Sequence, residues 1–471
     1  MTEQPRTRQE IYDRIRESSK DEYILAEMIR LGFWSSNSDV PNDPTEEIQR
    51  RGEIQRKLDT LRTENRRLHN EEALKKAALQ QRMAAARQKR QETKERREKE
   101  RQERAAAWAT QQSQTISYLG AEVSQGLNFT TSNLERLQAD RLPILNNAAD
   151  IAEAMGITIN QLRFLSFSRR VATVSHYVRF KIPKKTGGVR SISAPLPRLK
   201  QAQQWILDHI LEKIVLHPNA HGFRRGRSIV TNAQPHVGAL VVINLDLQDF
   251  FPSISYQRVK GIFCSLGYSE AVATILGLIC TEPEIIQVEL DGHSYYIAQT
   301  ERHLPQGAPS SPALTNILCR RLDRRLTGLA AHRGFTYTRY ADDLTFSTLN
   351  PEKLRDIGNI LQGVRSIVAH EGLDIHSDKT RVLRNSQHQE VTGVVVNKKL
   401  NVDRTILQKF RATLYQIEKD GLAGKTWGKG GDLLMSIEGF ANYVSMVNPQ
   451  KGQAFLAQIK RIQKLYGRRK R

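Results

Sequence analysis

Residues 336–347 read Thr-Tyr-Thr-Arg-Tyr-Ala-Asp-Asp-Leu-Thr-Phe-Ser, two β-prone runs closing on a pair of adjacent carboxylates. This arrangement restricts the chain to folds that hold an antiparallel hairpin there, with Asp342 and Asp343 at or beside the turn. Because side chains alternate faces along a strand, one of the two is expected to face the centre of a site fully. Upstream, Leu-Val-Val-Ile-Asn-Leu-Asp-Leu at 240–247 reads as a largely buried strand ending in Asp246, followed by Gln248, Asp249, Phe250, Phe251 and Pro252. Carboxylates are hard oxygen ligands, so the two acidic clusters together form a candidate site for two Mg²⁺ ions. An Asp-Asp pair alone is more often a solvated turn, so the neighbouring segments decide.

Five further segments, in order, resemble those of reverse transcriptases, and specifically the bacterial retron type. Residues 180–190 (Phe-Lys-Ile-Pro-Lys-Lys-Thr-Gly-Gly-Val-Arg) and 221–229 (His-Gly-Phe-Arg-Arg-Gly-Arg-Ser-Ile) resemble the family's two fingers motifs. Residues 246–254 resemble the first palm motif and 304–312 (Leu-Pro-Gln-Gly-Ala-Pro-Ser-Ser-Pro) the next. Tyr340-Ala341-Asp342-Asp343 is similar to the catalytic box, and Ser377-Asp378-Lys379-Thr380 to the Lys motif that follows it. Asn232-Ala233-Gln234-Pro235-His236 and Val391-Thr392-Gly393 resemble two elements associated with retron enzymes. The resemblance covers roughly residues 140–471. It implies an α+β, right-hand polymerase fold of fingers, palm and helical thumb, preceded here by a long, mainly α-helical N-terminal extension.

Composition agrees with a nucleic-acid enzyme. A net charge of +22 over 471 residues favours a polyanionic partner bound in a salt-dependent way. Three cysteines, Cys264, Cys280 and Cys319, without a Cys-x-x-Cys pair, argue against a zinc site or a disulfide framework. No apolar stretch approaches the roughly 18 residues that span a bilayer, and the first residues lack a signal-peptide pattern, so no membrane contact and a cytoplasmic location are expected.

The sharpest change in composition falls near residue 115. From Glu53 to Leu119 there is neither Gly nor Pro, and Arg, Lys, Glu, Gln and Ala dominate, which predicts a long exposed helix. Ile54, Leu58, Leu61, Asn65 and Leu68 keep three-four spacing, so a short coiled-coil seam and oligomerisation through this helix are one reading; a solvated or RNA-binding arm and docking on another protein are others. Small amphipathic helices are expected before Gly32, and a linker from Ser35 to Pro44. The expected divisions are a helical extension at 1–115, a linker at 116–140, mainly fingers at 141–303 with the palm strand 239–254 inserted, palm at 304–398, and a basic helical thumb at 399–471, with apolar spacing at Ile406, Phe410, Leu414 and Ile417.

The resemblance assigns roles residue by residue. Asp246, Asp342 and Asp343 are the expected catalytic carboxylates and ligands of two Mg²⁺ ions, with the backbone carbonyl of Leu247 as a further ligand. Lys184 and Arg190, folded together by the Gly187-Gly188 turn, are expected on the deoxynucleoside triphosphate. Phe251 stands at the family's steric gate against a ribose 2′-hydroxyl, Gln306 approaches the incoming nucleotide, and Lys379 neutralises or protonates the leaving pyrophosphate. Arg224, Arg225 and Arg227 are candidates for template phosphates, and Asn232, His236, Val391, Thr392 and Gly393 for organising the cognate RNA. The implied function is copying of a structured noncoding RNA into DNA primed from an internal guanosine 2′-hydroxyl, giving branched RNA–DNA, in antiphage defence with a separate effector and with host RNase H removing template. Group II intron-like or diversity-generating reverse transcriptases, or an RNA-binding scaffold that restrains a toxin, are the alternatives.

Overall fold

The computed structural model describes residues 7–34, 44–68, 72–183, 187–428 and 430–466. Lys184, most of the expected 35–44 linker and the terminal basic run beyond Tyr466 lie outside the described residues. The chain divides into two compact units, Met1–Ala106 and Ala107–Arg471.

The first unit is helical. Helices Arg8–Glu17 and Lys20–Arg30 both start on capping boxes, Thr7 with Glu10 and Ser19 with Glu22, which satisfy otherwise orphaned amides. Both precede the helix Thr45–Leu68, whose Gly52 leaves room for Glu22: a Cβ there would stand 2.0 Å from Glu22 Oε1. Arg56 holds the same carboxylate at 3.3 Å. Ile54, Leu58 and Leu61 remain exposed, and the side chain of Leu68 lies outside the described residues. The following helix, Glu72–Gln114, runs for 43 residues, so the described part of the stretch expected as a long helix is helical; residues 69–71 lie outside the described residues.

In the second unit, residues 116–140 are not a linker. They form a 3-10 turn at Ser124–Asn128 and a helix at Leu134–Ala139, and Ile116, Leu119, Leu127 and Leu137 join the same core as Ile206, Phe263 and Ile275. Their polar neighbours and irregular spacing conceal this burial from a periodicity argument. The helix Glu270–Cys280 is buried from Ala271 onward, as its almost wholly apolar sequence requires. Around this core stand the hairpin Tyr177–Pro183/Val189–Pro195 and a three-stranded sheet of Val171–Ala172, His293–Ala298 and Ile285–Leu290.

The palm is a four-stranded antiparallel sheet in the order Thr336–Tyr340, Asp343–Thr348, Val241–Asp246, Arg381–Arg384. Ile243 pairs with Phe346, Leu245 with Leu344 and Asp246 with Asp343. Alternation sends Ile243, Leu245, Leu344, Phe346 and Tyr337 to one face, where they pack on helices Arg320–Arg333 and Ile357–His370 through Leu322, Leu326, Ile360 and Val364. Val242 points to the other face, into a core shared with Val391, Val394, Val396 and the thumb helices Arg404–Asp420, Leu433–Val447 and Pro449–Tyr466. Phe410 is the hub of that core, ringed by Trp427, Phe440 and Phe455 at 4.6–5.1 Å between centroids. Leu414 and Ile417 are buried beside it, whereas Ile406, one turn earlier, is exposed. Among the described residues no helix is long and apolar enough to cross a membrane.

Because residues 107–471 form a compact unit with its own cores, a chain lacking residues 1–106 is expected to keep the cooperative denaturant transition of the remainder. Leu137→Ala, by contrast, opens a cavity in the main core and is expected to cost about 2–5 kcal/mol in the same titration.

Candidate active site

The turn that carries Asp342 and Asp343 is held from beneath by a buried ion pair. Along the strand Thr336–Tyr340, Arg339 shares the parity of Tyr337 and so points inward, where it is fully buried. Its Nε and Nη2 donate to the two carboxylate oxygens of Asp323 at 2.7 and 2.8 Å, and the Tyr337 hydroxyl donates to the same carboxylate at 2.9 Å. Burial works against the charge on Arg339, and Asp323 more than offsets it, so the guanidinium pKa lies above its usual range. The remaining nitrogen, Nη1, donates to Asn316 Oδ1 at 3.1 Å and to the carbonyl of Ala341 at 3.0 Å. Ala341 sits at φ 57, a left-handed conformation that a residue with a Cβ adopts at a cost.

The same turn is gripped from above. Asn316 Nδ2 donates to the Gly222 carbonyl at 2.9 Å, and Gly222 lies so close that a Cβ would meet Ala341 N at 2.5 Å. The His221 amide donates to the Arg339 carbonyl and the Leu247 amide to the Asp342 carbonyl, at 2.8 and 3.0 Å. The His376 amide closes on the Asp246 carbonyl at 2.8 Å. Arg339, Asp323 and Asn316 had not been singled out from the sequence. The available signals were an arginine at an inward strand position and a lone acid inside the run Arg320-Arg321-Leu322-Asp323-Arg324-Arg325.

The backbone thus brings Asp246, Asp342 and Asp343 together. Burial, then Asp342 and Asp246, push Asp343 up to about 7. Asp342 is raised as well, by burial and by Asp246, against the pull of Arg190 and Lys379. Asp246 and Asp342 line a cleft of about 1,070 Å³; Asp343 does not line it. Among the described residues no three His, Cys, Asp or Glu side chains converge as around a bound ion. Instead the Lys379 ammonium sits 2.8 Å from Asp246 Oδ1, standing where a cation would. Asp342 and Asp343, both raised by burial and by neighbouring carboxylates, form with Asp246 an under-neutralised set of hard oxygens, which fits a divalent metal.

Arg190, Phe251 and Gln306 line the same cleft. The Gln306 carbonyl accepts from the Ser193 amide at 2.9 Å, and Gly307 approaches Ser193 too closely for any side chain, so the Pro-Gln-Gly turn is fixed to the fingers hairpin. Phe251 lies 6.4 Å from Phe223, whose ring is 6.5 Å from Tyr340. Phe223 is exposed and, at φ 54, strained in the same way as Ala341. Arg224 donates to the His217 carbonyl at 3.0 Å and Arg225 pairs with Glu212 at 3.1 Å, while Arg227 is exposed.

The two retron-associated elements meet behind the sheet. His236 is fully buried between the hydroxyls of Ser347 (2.7 Å from Nδ1) and Thr338 (2.8 Å from Nε2), and burial pushes its pKa down to about 3, so the ring is neutral. Asn232, also fully buried, reaches Thr392 Oγ1 at 3.5 Å, and the Thr338 hydroxyl donates to the Asn232 carbonyl at 3.3 Å. Val391 is buried, and Thr392 and Gly393, at φ 48 and 79, form the tight turn of the hairpin Glu390–Val391/Val394–Val395. Asn232 therefore acts on this turn from inside the protein and His236 on the sheet strands, and neither faces solvent.

Residues 182–396 match the family model of reverse transcriptase (RNA-dependent DNA polymerase). With the antiparallel palm and its three carboxylates, this defines a metal-dependent RNA-directed DNA polymerase that takes deoxynucleoside triphosphates and an RNA template. The chain is 43% identical over 342 residues to the retron Mx162 reverse transcriptase of Myxococcus xanthus, covering 70% of each chain. It is 42% identical over 318 residues to the retron Mx65 enzyme of the same organism, covering 66% of this chain and 71% of the relative. To the retron Ec86 enzyme of Escherichia coli it is 34% identical over 337 residues, covering 71% and 95%. The chain belongs to the retron reverse transcriptases.

Asp323→Asn removes the counter-ion of a fully buried guanidinium and is expected to cost about 3–5 kcal/mol of stability in denaturant titration. Asn316→Ala, which removes the amide's bonds to both Arg339 and Gly222 but leaves the Asp323 pair intact, is expected to cost about 1–3 kcal/mol.

A carboxyl that ionises near 3.8 in the unfolded chain and near 7 in the folded one makes the native state bind more protons between those values. Metal-free protein is therefore expected to lose thermal stability as pH rises from about 4 to 7, and Asp343→Asn to flatten that slope. Melting curves without and with a divalent cation check this; the cation should stabilise most at the upper end of the window.

Proposed function

We propose that this polymerase copies part of its own structured noncoding RNA into single-stranded DNA, primed from an internal guanosine 2′-hydroxyl to give a branched RNA–DNA molecule. The observation that carries this reading is the similarity to retron enzymes over about 70% of the chain. The joining of the Asn232–His236 and Val391–Gly393 elements behind the catalytic sheet supports it. Antiphage defence with a separate effector, a cytoplasmic location and removal of template by host RNase H complete the proposal.

Asp246, Asp342, Asp343 and the Leu247 carbonyl would hold two Mg²⁺ ions, whose chemistry is to activate the attacking hydroxyl and neutralise the departing pyrophosphate. The protein groups then bind and orient. Arg190, within electrostatic reach of Asp342, and Lys184 clamp the triphosphate. Lys379, whose Nζ lies 2.8 Å from Asp246 Oδ1, would neutralise or protonate the leaving phosphate. The Gln306 turn, tied to Ser193, sets the position of the incoming nucleotide against the fingers. The Phe251 ring fills the space a ribose 2′-hydroxyl would need. Arg224, Arg225 and Arg227 take template phosphates, and the Thr392-Gly393 turn, fixed from within by Asn232, presents backbone to the cognate RNA.

Primer extension on an RNA template with Asp342→Asn plus Asp343→Asn tests the catalytic assignment. Synthesis is expected to vanish while RNA affinity stays within a few-fold; retained synthesis contradicts it, and the scaffold alternative predicts no extension by the wild type either. Phe251→Ala is expected to lower the preference for deoxynucleotides over ribonucleotides by roughly 10-fold or more in single-nucleotide incorporation.

A further inference from the structure

The helix Glu72–Gln114 sorts its charges. Arg87, Arg90, Lys94, Arg97, Arg101 and Arg104 succeed one another at steps of three and four residues. At 3.6 residues per turn they occupy an arc of about 100° and form a row about 26 Å long. On the same geometry Glu92, Glu95, Glu98, Glu100 and Glu103 all fall outside that arc. The six cations are exposed, and among the described residues none of them forms an ion pair, whereas Arg96, off the row, pairs with Glu100 at 3.7 Å.

This pattern works against the helix that carries it. A solvated helix is stabilised by a glutamate four residues before a cation, as Glu92 precedes Arg96 and Glu95 precedes Lys99. Along the row, five successive neighbours are like-charged pairs at three- or four-residue spacing, each mildly destabilising, offset only at its end, where Glu98 and Glu100 stand three and four residues before Arg101 and Arg104. A polyanion lying along the row would remove that repulsion.

We infer that this row is a docking surface for the phosphate backbone of double-stranded RNA. Five of the six cations are arginines, whose planar fork suits bidentate phosphate contact. Single strands are held by aromatic stacking combined with charge, and residues 82–104 contain no aromatic side chain. An acidic helical protein would pack on an apolar seam, and the row carries no large apolar residue between Met83 and Trp108. Duplex RNA is recognised by shape and backbone, for which a straight row of cations is sufficient.

The inference rests on the reading that the chain works on a structured RNA. It is tested by binding rather than by DNA synthesis, so that the two fail separately. The full chain is titrated with a 20-base-pair RNA duplex of arbitrary sequence and with a 20-nucleotide oligouridine at several salt concentrations. Two variants of equal charge change are compared: Arg90→Gln, Arg97→Gln, Arg101→Gln on the row, and Lys89→Gln, Arg96→Gln, Lys99→Gln off it. Glutamine keeps helix propensity, and circular dichroism verifies that both variants are equally helical. The row variant is expected to weaken duplex binding about 10-fold or more and to reduce the salt slope by roughly two to three, with the off-row variant within two-fold of wild type. Equal losses from both variants, no loss from either, or an equal loss on oligouridine would each overturn the inference. Loss of a co-purifying acidic protein with duplex binding intact would overturn it in favour of a protein partner.

Discussion

The polymerase depends on one buried ion pair. Asp323 and Arg339 lie in the plane between the palm sheet and its helices, where an unpaired charge would be untenable, and each satisfies the other in bidentate geometry. The remaining guanidinium nitrogen donates to Asn316 and to the Ala341 carbonyl, which keeps a left-handed alanine in place immediately before Asp342 and Asp343. Gly222 and Asn316 close the clamp from above, so the turn before Asp342, the segment of Gly222 and the helix of Asn316 are tied together. The site needs such bracing because three carboxylates repel one another across paired strands. A loosely held turn would relieve that repulsion by opening, and the metal-binding geometry would be lost with it.

Much of this was legible in the sequence. The hairpin around Asp342-Asp343 and the buried strand ending at Asp246 follow from period-two alternation, and their pairing places Asp246 opposite Asp343. The order of the motifs pointed to a polymerase palm split in sequence. What was hidden is of two kinds. Residues 116–140 carry their buried leucines at irregular intervals between polar residues, so no period reveals them, and only the tertiary core makes sense of Leu119 and Leu137. Asp323 and Asn316 lie 16 and 23 residues from Arg339, a separation at which pattern arguments fail. Asn232 and His236, expected to organise the cognate RNA, are fully buried beside the palm sheet, Asn232 reaching Thr392 and His236 bridging Thr338 and Ser347.

The arrangement behind the sheet has a consequence for how RNA recognition and catalysis are coupled. His236 bridges Ser347 and Thr338, residues of the two strands that converge on the aspartates, while Asn232 touches the Thr392 turn. Neutral and hydrogen-bonded at both nitrogens, His236 keeps its contacts throughout the physiological range. The Tyr443 hydroxyl donates to the Gly393 carbonyl at 2.9 Å, tying the thumb to the same turn. A ligand seated at that turn is therefore one buried hydrogen-bond relay away from the catalytic strands.

The central claim is that this palm synthesises one defined DNA from one defined RNA. Sequencing the nucleic acid that co-purifies with wild-type protein and with the Asp342→Asn, Asp343→Asn variant, before and after RNase and debranching treatment, tests it most directly. A single short DNA joined to one RNA, present with wild type and absent from the variant, is the predicted result. Heterogeneous DNA, or RNA without DNA in both samples, would contradict it.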